Sequence, residues 1–211
     1  MLFVGCVALL VWLNLPRPEL PPQNMAALFG DAWFLYGFAH FSFLLMPAAA
    51  VMAADGLRRN SKTWLLVLPY FALGILPFSA YLALRPAQET QAAPRWIQRA
   101  LATRWFWLAC AVLSVVSAIV LLPRGSWAQL QSTMQQNFGW WFMWLDILLN
   151  HVFVLPLIQA HMRHVGAPNP NRWLAAIALT GPLGLNLYLS RHSSRTNMPA
   201  PYARPSAQKP H

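Results

Sequence analysis

Charge is what this sequence has least of. Only 9% of its 211 residues are Asp, Glu, Lys or Arg, against about 25% in an ordinary soluble domain. Just five residues are acidic, too few to line a hydrated globular surface. Cysteine is equally scarce. Cys6 and Cys110 lie in apolar runs with no CxxC spacing, which excludes a disulfide framework and a cysteine zinc site and leaves buried, inert thiols. A glycine-rich phosphate loop, a Ser-His-Asp arrangement and a nucleotide signature are all missing, so nothing supports soluble-type hydrolysis or nucleotide chemistry.

Apolar residues fill the space that charge leaves. They make up 57% of the chain, and about 20 in a row are needed to cross a hydrocarbon core. Candidate runs lie at roughly 1–15, 32–53, 63–84, 105–122, 139–162 and 172–190. The runs are continuous, not alternating, so helices are expected and not a barrel. The first begins at Met1 with no basic residue before it and no small-x-small site after it, and is read as a retained helix. The expected fold is all-α: a polytopic membrane bundle of about six helices, in a bacterial inner or thylakoid membrane.

The chain also reads as written twice. "NLPR" at 14–17 answers "LLPR" at 121–124, "FG" at 29–30 answers "FG" at 138–139, and "GILPFSAYL" at 74–82 answers "GPLGLNLYL" at 181–189. Pro47 maps onto Pro156 and Trp64 onto Trp173 at the same spacing as the Phe-Gly pair. Order and near-constant offset point to a duplicated three-helix unit. The boundaries follow: a first repeat over 1–87, a linker over 88–104, a second repeat over 105–192 and a tail over 193–211. Three crossings is an odd number, so the second copy is expected to enter from the opposite side, as an inverted repeat of the transporter kind.

Loop charge tests that scheme. It places Arg58, Arg59, Lys62, Arg124, Arg191, Arg195, Arg204 and Lys209 on one side, and Arg17, Arg85, Arg95, Arg99, Arg104, Arg163 and Arg172 on the other. The near balance sets no orientation under the positive-inside rule. Most of the net charge of +10 therefore reads as headgroup contact and not as a nucleic-acid surface. The linker carries Arg95, Trp96 and Arg99 at helical spacing, as an amphipathic helix on the membrane surface would. The tail, rich in Ser, Pro, Asn and Arg, has too few apolar residues to pack and is expected to be disordered. Tryptophans at run starts, Trp33, Trp64, Trp105, Trp107, Trp140, Trp141 and Trp173, suit an interfacial belt. Trp144, one turn deeper, suits a wall for a flat ligand.

Function should sit where polarity enters the membrane runs. "GWWFMWLDILLNHVFVLP" (139–156) holds Asp146, Asn150 and His151. An Asp at a membrane helix centre costs about 2.5 to 3.5 kcal/mol on insertion scales, so it should face the bundle interior or water. Asn150 stands at i+4 on the face of Asp146, whereas His151 is about 140° round and needs a partner from another helix. Pro156 frees the carbonyl of Val152 and Pro47 that of Phe43, since proline carries no N–H. Two such kinks in matching helices point to a midplane site. His40, Asp146, Asn150, His151 and Asn186, with Trp144 beside them, are the candidate wall of one central polar pocket, and Asp146 and His151 the candidate catalytic pair. The bland reading is packing glue. No metal is expected, because "HMRH" (His161, His164) lacks the further histidine boxes a di-iron cluster needs. A haem or pigment held by His40 and His151 is the lesser alternative.

The second copy, "FGWWFMWLDILLNHVFVLPLIQAHMRHVGAPNPNRWLAAIALTGPLGLNLYLSRH", resembles an uncharacterised bacterial and cyanobacterial family of three-helix membrane proteins, of which this chain would be a duplicated form. Its last two helices are more distantly similar to the neoxanthin-synthase-like membrane family, although Asp146 and His151 stand in reversed order. The resemblance implies a lipid- or carotenoid-related role, and the first functional reading is an isoprenoid-binding or isoprenoid-modifying protein, with Asp146 as hydrogen-bond donor or acid and His151 or His40 as base. A small proton- or cation-coupled transporter and a non-catalytic subunit of a pigment complex are the other two readings. The expected partners are membrane lipids and a hydrophobic small molecule.

Overall fold

The computed structural model describes residues 30–136 and 138–192. The expected first helix at 1–15 and the tail at 193–211 lie outside the described residues. Among those described there are helices and no strand. The order is α1 (Ala32–Arg58), a 3-10 segment (Lys62–Leu66), α2 (Val67–Leu73), α3 (Ile75–Leu84), α4 (Arg95–Leu101), α5 (Arg104–Leu121), a 3-10 turn (Leu122–Arg124), α6 (Trp127–Gln136), α7 (Phe138–His164), α8 (Pro170–Thr180) and α9 (Pro182–His192).

Three helical stretches are long and apolar enough to cross a membrane: Ala32–Arg58, Arg104–Arg124 and Phe142–His164. The expected third helix of each copy is instead in two pieces. The breaks fall at Gly74 (φ 55°, ψ −123°) and Gly181 (φ 57°, ψ −118°), a backbone only glycine adopts without strain. Each break folds its segment back on itself. Tyr70 of α2 stacks on Phe78 of α3 with ring centroids 5.2 Å apart, and Trp173 of α8 lies edge-on to Tyr188 and His192 of α9 at 5.7 and 5.5 Å. Residues 62–84 and 170–192 are thus two helical hairpins, each with a glycine tip.

The hairpins overturn the expected inversion. Segments 32–58 and 142–164, which the repeat equates, lie side by side and parallel: Tyr36 meets Trp144 at 6.4 Å near their starts, His40 meets His151 at 5.4 Å further on, and Glu89 bridges Arg58 and His164 at their ends. An inverted pair would run antiparallel. The physical reason is that a segment that folds back returns to the end it left, so it adds no crossing.

Folding back also overturns the loop-charge balance. Arg85, Arg95, Arg99, Arg104, Arg163 and Arg172, assigned by sequence to the far side, stand at the end of the bundle that carries Arg58, Arg59 and Lys62, because Arg85 reaches back to Asp55 at 3.2 Å. At the opposite end Asp31 caps α1 through the N–H groups of Trp33 and Phe34 and accepts from Gln129 at 2.7 Å, while the Trp33 indole donates to the Ser126 carbonyl. Arg124 is the one Lys or Arg among the described residues at that end.

The core lies between α1, α7 and the two hairpins. Leu44, Ala48, Val51 and Met52 of α1, Val154, Leu157 and Ile158 of α7, and Leu185 and Tyr188 of α9 are all fully buried. Alanines at 48, 49, 53 and 54 let the helices approach closely, the small-residue packing that membrane bundles favour. α5 packs on α1 and α9 with one face and turns Val112, Leu113, Val116 and Ile119 outward.

Candidate functional site at the hairpin tips

Both glycine tips are aimed at the polar stretch of α7. A methyl group built on Gly74 would collide with the Asp146 carboxylate, and one on Gly181 with the Nε2 edge of His151. The 140° that separates Asp146 from His151 on one helix is what lets each serve a different hairpin.

At the first tip, Asp146 Oδ1 accepts the Ile75 N–H at 2.8 Å and the Asn150 amide at 3.1 Å. Ile75 opens α3, so the carboxylate stands at a helix N-terminus where the orphan N–H groups and the dipole favour negative charge. Both of these bonds fall on Oδ1, and Oδ2 lies against the bare Cα of Gly74. Asn150, fully buried, also donates to the Asp146 carbonyl at 2.8 Å and accepts from the Tyr70 hydroxyl at 2.9 Å. Asp146 and Asn150 thereby lock the first hairpin.

At the second tip the chain offers no equivalent lock. Pro182 opens α9 and has no N–H to give. His151 faces Gly181 and packs its ring on His40, whose Nδ1 lies 3.4 Å from the Tyr36 hydroxyl. Asn186 Nδ2 donates to the Pro182 carbonyl and across to the Phe43 carbonyl at 2.9 Å. Phe43 is the residue whose carbonyl Pro47 frees, so the proline kink of α1 is repaired by the neighbouring hairpin. Asn186 Oδ1 is buried with no partner, as is the Trp144 indole nitrogen.

The expected single pocket wall is therefore divided in two, with Asp146 and Asn150 at one tip and His40, His151 and Asn186 at the other. Trp144 stands on the far-side approach, against Gly37 and Tyr36. The two kinks do not share a site: Pro47 is buried in the bundle, while Pro156 is exposed on the outer face of α7. A macrocycle between His40 and His151 would require their rings to separate. Among the described residues no group of three or more His, Cys, Asp or Glu is placed to hold a metal.

A second polar cluster, at the basic end, is not among the residues singled out from the sequence. Asp55 is fully buried in the last turn of α1. Its carboxylate takes two bonds of 3.0 Å from Arg59, one of 2.5 Å from the Tyr81 hydroxyl, and lies 3.2 Å from Arg85. Arg58 reaches Asp55 at 3.6 Å and Glu89 at 3.5 Å, and His164 Nδ1 stands 2.7 Å from Glu89. The i, i+3 and i, i+4 spacing of Asp55, Arg58 and Arg59 is a signal present in the sequence. That Arg85 returns to it is not. The cluster closes the base of the first hairpin, as Asp146 closes its tip. No known protein family, curated protein or solved structure matches this chain.

Proposed function

We propose that the chain is a small integral membrane transporter that moves protons through the region between the two hairpin tips. The single observation that carries this reading is the convergence of two broken helical segments on one polar stretch of a crossing helix, the arrangement by which transporters expose backbone polarity at membrane depth only where it lines a site. In this reading α1, α5 and α7 cross the bilayer and the two hairpins enter it and return. Asp146 is the proton site: Oδ1 is held by Ile75 and Asn150, and Oδ2 takes up and releases the proton. The second hairpin, without a carboxylate lock, is the element that yields, and His40 and His151 pass the proton on from its tip.

The test is proton flux in liposomes containing a pH-sensitive dye, with an imposed pH gradient and a potassium-clamped potential. The wild-type chain should dissipate the gradient faster than empty liposomes, and Asp146→Asn should not. Wild-type liposomes as tight as empty ones would overturn the reading.

A second reading, an isoprenoid or other flat hydrophobic ligand, is favoured by one observation: Trp144 packs on Tyr36 and Gly37 with its indole nitrogen buried and unpartnered. Protein purified in mild detergent from its own host would then carry a coloured or mass-detectable ligand near one per chain. A colourless preparation holding only bulk lipid would remove this alternative.

A further inference from the structure

We infer that the basic end of the bundle is a docking surface for anionic lipid headgroups, with α4 and the start of α5 as its contact edge. The inference rests on the membrane reading above but not on transport.

Beside the exposed Arg163, Arg172 and Arg191, the arginines at this end form two sets. Arg58 and Arg59 are buried and Arg85 partly so, and each forms an ion pair with Asp55, and Arg58 and Arg59 with Glu89 as well. Arg95, Arg99 and Arg104 are exposed and make no ion pair among the described residues. The only two carboxylates described at this end already pair with the inner set, so among the described residues the outer set has no counter-charge. Its geometry indicates what would supply it. α4 buries Ile97 and Leu101 against the core and turns Arg95, Trp96 and Arg99 outward. Trp96 is 58% exposed and Trp105 is 74% exposed, with the Arg104 guanidinium 5.7 Å from the Trp105 ring. Exposed indoles interleaved with arginines match a headgroup region, where the ring sits at the headgroup level and the guanidinium among the phosphates. A soluble anion would satisfy the arginines and leave the indoles in water. α4 is joined to the bundle, not hung from it: the Thr90 and Gln91 N–H groups both donate to the Arg58 carbonyl, and the Trp107 indole donates to the Leu101 carbonyl. The lipid contact is thereby fixed at one depth relative to the hairpin bases.

The decisive experiment uses the full chain in phosphatidylcholine vesicles carrying trace spin-labelled lipid. The quantity measured is the association of spin-labelled phosphatidylglycerol with the protein relative to spin-labelled phosphatidylcholine. Phosphatidylglycerol should be preferred, the preference should fall toward unity as salt rises, and it should weaken by up to roughly fivefold in the Arg95→Gln, Arg99→Gln, Arg104→Gln variant, the worth of about one such contact. No preference in the wild type, or an undiminished one in the triple variant, would overturn the inference. If the triple variant does not fold, the salt series on the wild type decides, since a salt-independent preference refutes an electrostatic surface. Lipid preference with tight, proton-impermeable vesicles would refute transport alone.

Discussion

At the scale of single residues, the weight falls on two glycines and the side chains they face. Gly74→Ala must place a Cβ where the Asp146 carboxylate is and adopt a positive φ, which costs an L-residue roughly 1–2 kcal/mol before the collision is counted. We expect a lower melting temperature in detergent than for the wild type. Gly166→Ala, at a positive φ but with nothing within 4 Å of an added Cβ, has no collision to add and should lose less. Asp146→Asn keeps an acceptor for the Ile75 N–H and should melt close to the wild type, whereas Asp146→Leu orphans a buried donor at about 1–3 kcal/mol. Equal melting of the Asn and Leu variants would show that the Ile75 bond does not hold the tip. Asn186→Leu should cost a similar amount, because it uncovers the Phe43 carbonyl that Pro47 leaves without its helical partner.

At the scale of elements, the linker is held to the base of the first hairpin by charge, and that attachment should depend on pH. The bond from His164 holds the Glu89 carboxyl below its ordinary value of 4.5, with Arg58 and Arg59 adding to it and burial opposing. A carboxylate with a lowered pKa in the folded state contributes stability that is fully present above the ordinary value and is lost as pH falls through the lowered one. The amide protection of Thr90 and Gln91 should therefore drop as pH falls below 4.5, and Glu89→Gln should show the low-pH protection already at neutral pH. Protection that stays flat across that range in the wild type would show that the Arg58 carbonyl alone secures the segment. The amphipathic character of 88–104 was legible from Arg95, Trp96 and Arg99. Its seat on α1 was not, because the Arg58 carbonyl that receives it is a C-terminal helix group that any sequence supplies.

At the scale of the whole molecule, the hairpins convert an even charge distribution into a one-sided one. With Arg85 and the linker returned to the end that carries Arg58, that end, in a chain that spans the membrane as proposed, is expected by the positive-inside rule to face the cytoplasm. A fluorescent protein fused after His211 should fluoresce when expressed in a bacterium, and alkaline phosphatase fused there should be inactive, since no apolar run separates His192 from the fusion. Active phosphatase would reverse the orientation and with it the depth order of the two clusters. The helices at 32–58, 104–124 and 142–164, long and apolar enough to cross a membrane, were visible as apolar runs, whereas the apolar runs at 63–84 and 172–190 fold back.

That last contrast marks the boundary between the two kinds of information. Composition and run length by themselves determined that the chain is helical and apolar enough for a bilayer, that Asp146, Asn150 and His151 share one helix, and that Asn150 lies on the face of Asp146, because these follow from local periodicity. Only the tertiary structure decided whether an apolar run crosses or folds back. A glycine in a helical run adopts a positive φ when a neighbour fills the space its missing Cβ leaves and satisfies the broken hydrogen bonds. Asp146 does this for Gly74 from a segment 72 residues away in the chain, and no local pattern records it.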